Sequence, residues 1–272
     1  MEIRVPPAPS FAVPTSTSVP SGYSEDSVEV RSILIASGLL MLACSSNADG
    51  LAVPARTESG SRLRWSRREV LLELSPERGK VGLDGMVVET LNKAVAVWNA
   101  ALSSCHAPRL VVSPAPLSRA AIREDQVNEI LYHRRDWCPP GAMDIEECYD
   151  RTLHASTHLR PIRRPGDASY GTLKEADMEI NGANFKWSAR GAESGTFSLE
   201  VLLVHELGHV LGLNHPCAPV GSAEWKSGTV KVDCGDERVQ RAVMHPHAVE
   251  LFADRPARPL RAEVAEICEA YR

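Results

Sequence analysis

The sequence predicts an α+β domain over residues 62–272, and three observations predict it. Strand-like apolar runs recur at 63–74, 110–112, 152–159 and 171–181. Residues 84–102 and 260–271 repeat apolar side chains at spacings of three and four, the signature of a helix with one buried face. Residues 197–204, mostly apolar and free of Gly and Pro, lead as a helix into a histidine-rich stretch.

The chain before this domain has a different composition. Residues 1–27 are rich in Pro, Ser, Thr and Val and show neither period, which predicts a disordered leader. Residues 28–48 read as an export signal, because the apolar run 32–43 is too short to span a bilayer yet suits a signal-peptide core. Leu40-Met41-Leu42-Ala43-Cys44 resembles a bacterial lipobox, which would make Cys44 a site of lipid attachment. Ordinary cleavage after Ser46-Asn47-Ala48 is the alternative, and both place the protein outside the cytoplasm. A signal this far from Met1 points to a later translation start, at Val28 or Val30, so that the leader need not be translated. The polar, Gly-bearing stretch 49–61 reads as a linker.

Within the domain, residues 63–74 supply the first strand. In the helix 84–102, Val87, Val88, Leu91, Ala94, Val95, Trp98 and Ala101 share one face. A short strand at 110–112 follows. Residues 120–133 read as helical and 136–150 as a loop carrying Cys138 and Cys148. His154 and His158 lie four apart without a carboxylate between them, so solvent-facing histidines are expected there rather than a second metal site. Asp177 and Glu179 are expected on a solvated strand face, and the Arg134-Arg135 and 160–164 arginines on the surface. Later, 225–230 reads as a hairpin about Ser227-Gly228, and Leu260, Val264, Ile267, Cys268 and Tyr271 share the face of a last helix.

The chemistry concentrates in residues 205–215, which read H-E-x-x-H-x-x-G-x-x-H. Helix positions four apart share a face, so His205 and His209 can offer two imidazoles to one metal ion. Glu206 sits one step round, within reach of a water but outside the ligand set. Gly212 permits a positive φ, which turns the chain and returns His215 as a third nitrogen ligand. Three protein ligands with one open position is the arrangement of a catalytic zinc.

With Ala242-Val243-Met244-His245-Pro246 downstream, the chain resembles the metzincin zinc proteases, and its x-x-Met-x-Pro form resembles their matrixin branch. Pro216 stands where matrixins usually have Ser. The resemblance implies a twisted mixed sheet, an active-site helix, a Met-turn and a C-terminal helix. It implies a zinc endopeptidase with one catalytic Zn²⁺, Glu206 as general base and Met244 as an apolar floor beneath the histidines. It further implies a substrate-binding edge strand within 152–174, an outer pocket wall at 247–258, and Ca²⁺ as a second ion near Asp177 and Glu179. A protein or peptide would be the substrate and a monomer the working unit. The alternative class is a non-catalytic surface lipoprotein that uses the same fold for binding, although such a protein has no need of Glu206 together with all three ligands.

The seven cysteines bear on the compartment. With Cys44 assigned to a lipid, Cys105, Cys138, Cys148, Cys217, Cys234 and Cys268 remain for three bridges, with 15 pairings open. In the fold that the resemblance implies, proximity favours Cys138–Cys148, Cys217–Cys234 and Cys105–Cys268. A net charge of −5 gives no basic face for nucleic acid, and contact with a membrane would run only through the N-terminal lipid.

Overall fold

The computed structural model describes residues 51–75, 85–114, 124–139, 141–164, 166–190, 193–218, 220, 232–253 and 255–272. The leader, the export signal, Cys44 and the 225–230 hairpin lie outside the described residues.

The molecule is mixed α/β with a mostly parallel central sheet and few helices. Five strands run parallel in the order β2 (Arg64–Trp65), β7 (Thr172–Asn181), β5 (Asn128–His133), β3 (Glu69–Ser75) and β4 (Arg109–Val112). The sixth, β6 (Ala155–Pro161), pairs antiparallel with β7 and lies inside the 152–174 window where an edge strand was expected. Two minor pairs complete the strands: β1 (Val53–Pro54) with β10 (Leu213–Asn214), and β8 (Trp187–Ser188) with β9 (Phe197–Ser198).

The core lies between the sheet and two helices, α1 (Gly85–Ala101) and α2 (Leu199–Val210). Strand alternation sends Val70, Leu72 and Leu74 inward and leaves Leu71 exposed. On α1 the buried stripe is Val87, Leu91, Ala94, Val95 and Trp98, the face that the spacing of three and four selects. Trp98 adds a polar tie, its indole N–H donating to the Val204 carbonyl at 2.8 Å, and Trp65 does the same to Val210 at 2.8 Å. Two aromatic side chains from distant segments thus fix the axial position of α2. A short helix α3 (Ala248–Leu251) and a C-terminal helix α4 (Arg261–Glu269) close the fold, and the Tyr271 hydroxyl accepts from the Trp65 N–H at 3.0 Å.

Disulfides join Cys105 to Cys268, Cys138 to Cys148 and Cys217 to Cys234, the pairing favoured above. The first pins α4 to the end of α1 across 163 positions, while the others close loops of 10 and 17. In the chain-entropy model the long link contributes about 5 kcal/mol and each short one about 3 kcal/mol. Among the described residues no helix is long and apolar enough to cross a membrane.

Three expectations need correction. Residues 128–133, within the stretch expected to be helical, form β5. It is a central strand between β3 and β7, and its Asn128, Glu129, Ile130 and Leu131 are all buried; a strand buried on both faces shows no alternation to mark it. The stretch taken as a linker is packed structure from residue 51 onward: Ala52 and Ala55 are buried, and Ala55 N–H donates to Gly212 at 2.8 Å. Asp177 and Glu179, expected on a solvated face, are fully buried, Asp177 against the Arg160 side chain and Glu179 against His133, Tyr149 and His158.

Candidate metal centre and its cleft

Helix α2 begins at Ser198, whose hydroxyl accepts from Val201 N–H at 3.3 Å, and runs to Val210. His205 and His209 therefore lie one turn apart on its cleft side. Gly212 follows at φ +93°, and a Cβ there would stand 2.8 Å from the Leu63 carbonyl oxygen, so both conformation and space demand glycine. The turn leads into β10, held by β1, and delivers His215 to the same point. His205 Nε2 lies 3.1 Å from His215 Nε2 and 3.2 Å from His209 Nε2.

The outer nitrogens of His205 and His209 explain why their Nε2 atoms face inward. His205 Nδ1 donates to the Val243 carbonyl at 2.7 Å, and His209 Nδ1 to the Leu213 carbonyl at 2.9 Å. A carbonyl can only accept, so the proton sits on Nδ1 and the Nε2 lone pair is left for a metal. Burial, aided by the neighbouring imidazoles, holds His205 well below its usual pKa and His215 at about 3, which keeps both in the neutral form that a ligand needs. Nitrogens bound tetrahedrally at about 2.0–2.1 Å stand roughly 3.3 Å apart, so this trio fits such an ion. His205, His209 and His215 could hold a metal ion.

Glu206 is buried beside them. Burial raises its pKa, opposed by His209 and by the Thr157 hydroxyl, which donates to Oε2 at 2.6 Å from the edge strand β6. Beneath the helix, Met244 is fully buried and fills the place of the absent Gly208 side chain: a Cβ on Gly208 would stand 2.2 Å from its Sδ. The Met244 backbone N–H in turn donates to Glu263 Oε1 at 2.9 Å, and Leu260 N–H donates to Oε2 at 2.6 Å. Burial raises Glu263 to about 7 despite these donors. A carboxylate on the last helix thus anchors the turn that carries Met244.

The remaining candidates are used otherwise. Cys217, Cys234 and His245 lie close together, but both sulfurs are committed to a disulfide and offer no thiolate. His158 keeps 34% of its side chain exposed, as expected in part, but it is engaged: its Nε2 lies 3.0 Å from Glu179 Oε1, while His133 Nε2 lies 2.6 Å from Glu179 Oε2 and the Tyr149 hydroxyl donates to Oε1 at 2.6 Å. His154 is packed among Phe185, Phe197 and Trp187 instead. Arg160 also turns inward, its Nε 2.7 Å from Glu175 and 3.5 Å from Asp177, whereas Arg134 and Arg135 are exposed as expected. The buried carboxylates of β7 therefore already face cationic or donor groups of the chain itself.

Two residues of this site escaped the sequence reading. Glu263 had a signal, since it falls on the buried face of α4 beside Ile267, where a carboxylate is costly without partners. Thr157 had none, being an ordinary strand residue until the register of β6 is known.

No family model matches the chain, and no curated protein matches it.

Proposed function

We propose that this chain is a zinc-dependent endopeptidase of the metzincin type, matrixin-like, working on proteins outside the cytoplasm. The observation that carries the reading is the convergence of three Nε2 atoms, 3.1 and 3.2 Å apart, with buried Glu206 beside them in a cleft bordered by an edge strand. The sheet with one antiparallel border strand, the methionine under the helix and the closing α4 support the likeness that the motif suggested. Three disulfides are what a protein folded in an oxidising compartment forms, which supports an extracytoplasmic site of action.

A zinc ion bound by His205, His209 and His215 would supply Lewis acidity that activates water and polarises a carbonyl. The chain's own residues supply the rest. Glu206 takes the proton of the attacking water at Oε1, while Thr157 keeps Oε2 in place, and then returns that proton to the leaving amine. Burial suits Glu206 to this task, because raising its pKa brings it closer to the pH at which it must both accept and donate. Among the described residues β6 pairs with β7 alone, so its other side offers main-chain donors and acceptors to an extended substrate.

The test is cleavage of an unfolded protein such as reduced casein, with and without a chelator, followed by restoration with zinc. Chelator-sensitive cleavage that Glu206→Gln abolishes is the expected result. Cleavage that survives both the chelator and Glu206→Gln would sink the proposal.

A further inference from the structure

The cleft of about 850 Å³ does not end at the histidines: it continues between the start of β6 and α3. The residues lining this arm include the apolar Leu153 and Ala155, Leu202 from α2 and Val249 from α3. Among the described residues that line the cleft there is no lysine or arginine. Two carboxylates line it, and they differ. Glu206 is buried and held by Thr157, whereas the Glu250 side chain is 45% exposed with its Oε1 3.7 Å from His154 Nε2.

His154 does little to neutralise that charge. Its ring is wedged against Phe185 at 4.2 Å, Phe197 at 5.2 Å and Trp187 at 5.8 Å between centroids. Burial lowers its pKa, with Glu250 opposing and His247 reinforcing, so near neutral pH it stands as an uncharged imidazole. Its separation from Glu250 also exceeds hydrogen-bond length. Glu250 thus places a carboxylate at the border of an apolar slot, with no lysine or arginine among the described lining residues to meet it. Such a slot matches a side chain that is aliphatic along its stem and cationic at its tip.

We infer that this arm of the cleft is a specificity subsite for a lysine or arginine side chain flanking the scissile bond, with Glu250 as the residue that reads the charge. Leu153, Leu202 and Val249 take the methylene stem and Glu250 meets the head group. This inference rests on the protease reading and names its substrate class.

The experiment digests a denatured protein mixture with wild type, Glu206→Gln, Glu250→Gln and Glu250→Lys, and identifies every new terminus. Wild-type cuts should be enriched in Lys or Arg at one fixed position next to the cleaved bond. Matched peptides carrying Lys or Leu there should lose roughly two- to fivefold in their kcat/KM ratio with Glu250→Gln, the effect of one partly exposed charge pair. Glu250→Lys should invert the preference towards Asp and Glu. Wild-type cleavage without basic enrichment at any position would overturn the subsite and leave the protease reading standing, as would an unchanged ratio in Glu250→Gln. No cleavage beyond that of Glu206→Gln would overturn the protease reading and this inference together.

Discussion

Two groups of histidines in this molecule show opposite uses of one side chain. At the end of α2, His205 and His209 give their Nδ1 protons to backbone carbonyls, and three Nε2 atoms meet with no carboxylate between them. Beneath β6, the Nε2 atoms of His133 and His158 are both spent on Glu179, which Tyr149 also holds. His133 Nδ1 also lies 3.0 Å from a backbone carbonyl, that of Asp136, so what separates a candidate ligand set from a structural clamp is whether a carboxylate meets Nε2. The number of histidines does not decide it.

The largest effect should come from breaking the first group. Purified protein is expected to bind about one zinc per chain, and His209→Ala should lose both metal and cleavage. Glu206→Gln should keep the metal and lose about 10²–10⁴-fold in kcat, since it removes a proton carrier and no ligand. Metal analysis beside a peptide assay reads both. A Glu206→Gln protein as active as wild type would refute the role given to that residue.

Breaking the second group should cost stability and leave the metal alone. Glu179→Ala leaves two half-buried imidazoles without their anion, a loss of about 3 kcal/mol, or roughly 6–12 °C in Tm. Zinc content should stay at the wild-type value; a fall in parallel with Tm would merge the two groups into one site. Burial opposes ionisation of Glu179, yet His133, His158 and Tyr149 outweigh it and hold its pKa at about 2, below the ordinary 4.5. Folding depresses this pKa, so the stability it contributes is complete above about pH 4.5 and is lost as pH falls towards 2. Acid titration of Tm should show that fall in wild type and a shallower one in Glu179→Ala.

Two smaller effects sharpen the contrast further. Gly208→Ala drives a methyl group into Met244 and should cost about 1–3 kcal/mol, visible in denaturant melts. Thr157→Val removes one hydrogen bond to Glu206 and should lower kcat roughly tenfold or somewhat more with KM little changed, while Thr157→Ser restores it. Equal losses in kcat with Ser and Val would mean that the hydroxyl is not what matters.

The three candidate metal-holding histidines and Gly212 were legible in the sequence because one helix and one turn carry them, and local spacing fixes their geometry. The same holds for α1, whose stripe repeats with the helical period. The Cys105–Cys268 bridge was legible only through an assumed fold, since 163 intervening positions carry no local signal. What stayed hidden depends on strand neighbours. β5 hid because its residues are buried on both faces, and Asp177 and Glu179 because side chains from other segments, among them Arg160, His133 and Tyr149, meet them. Thr157 was invisible for the same reason, as its partner is 49 positions away.

The pairing of β1 with β10 sets a limit on how far the N-terminus can be trimmed. Val53 stands opposite Asn214 and Pro54 opposite Leu213, so the strand that presents His215 leans on residues that composition alone would assign to a dispensable tether. A protein begun at residue 62 would lose that strand along with Ala55, which lines the cleft. Maturation by a processing enzyme, or a shortened version made for the laboratory, must therefore stop upstream of residue 53, or it releases the third histidine from its support.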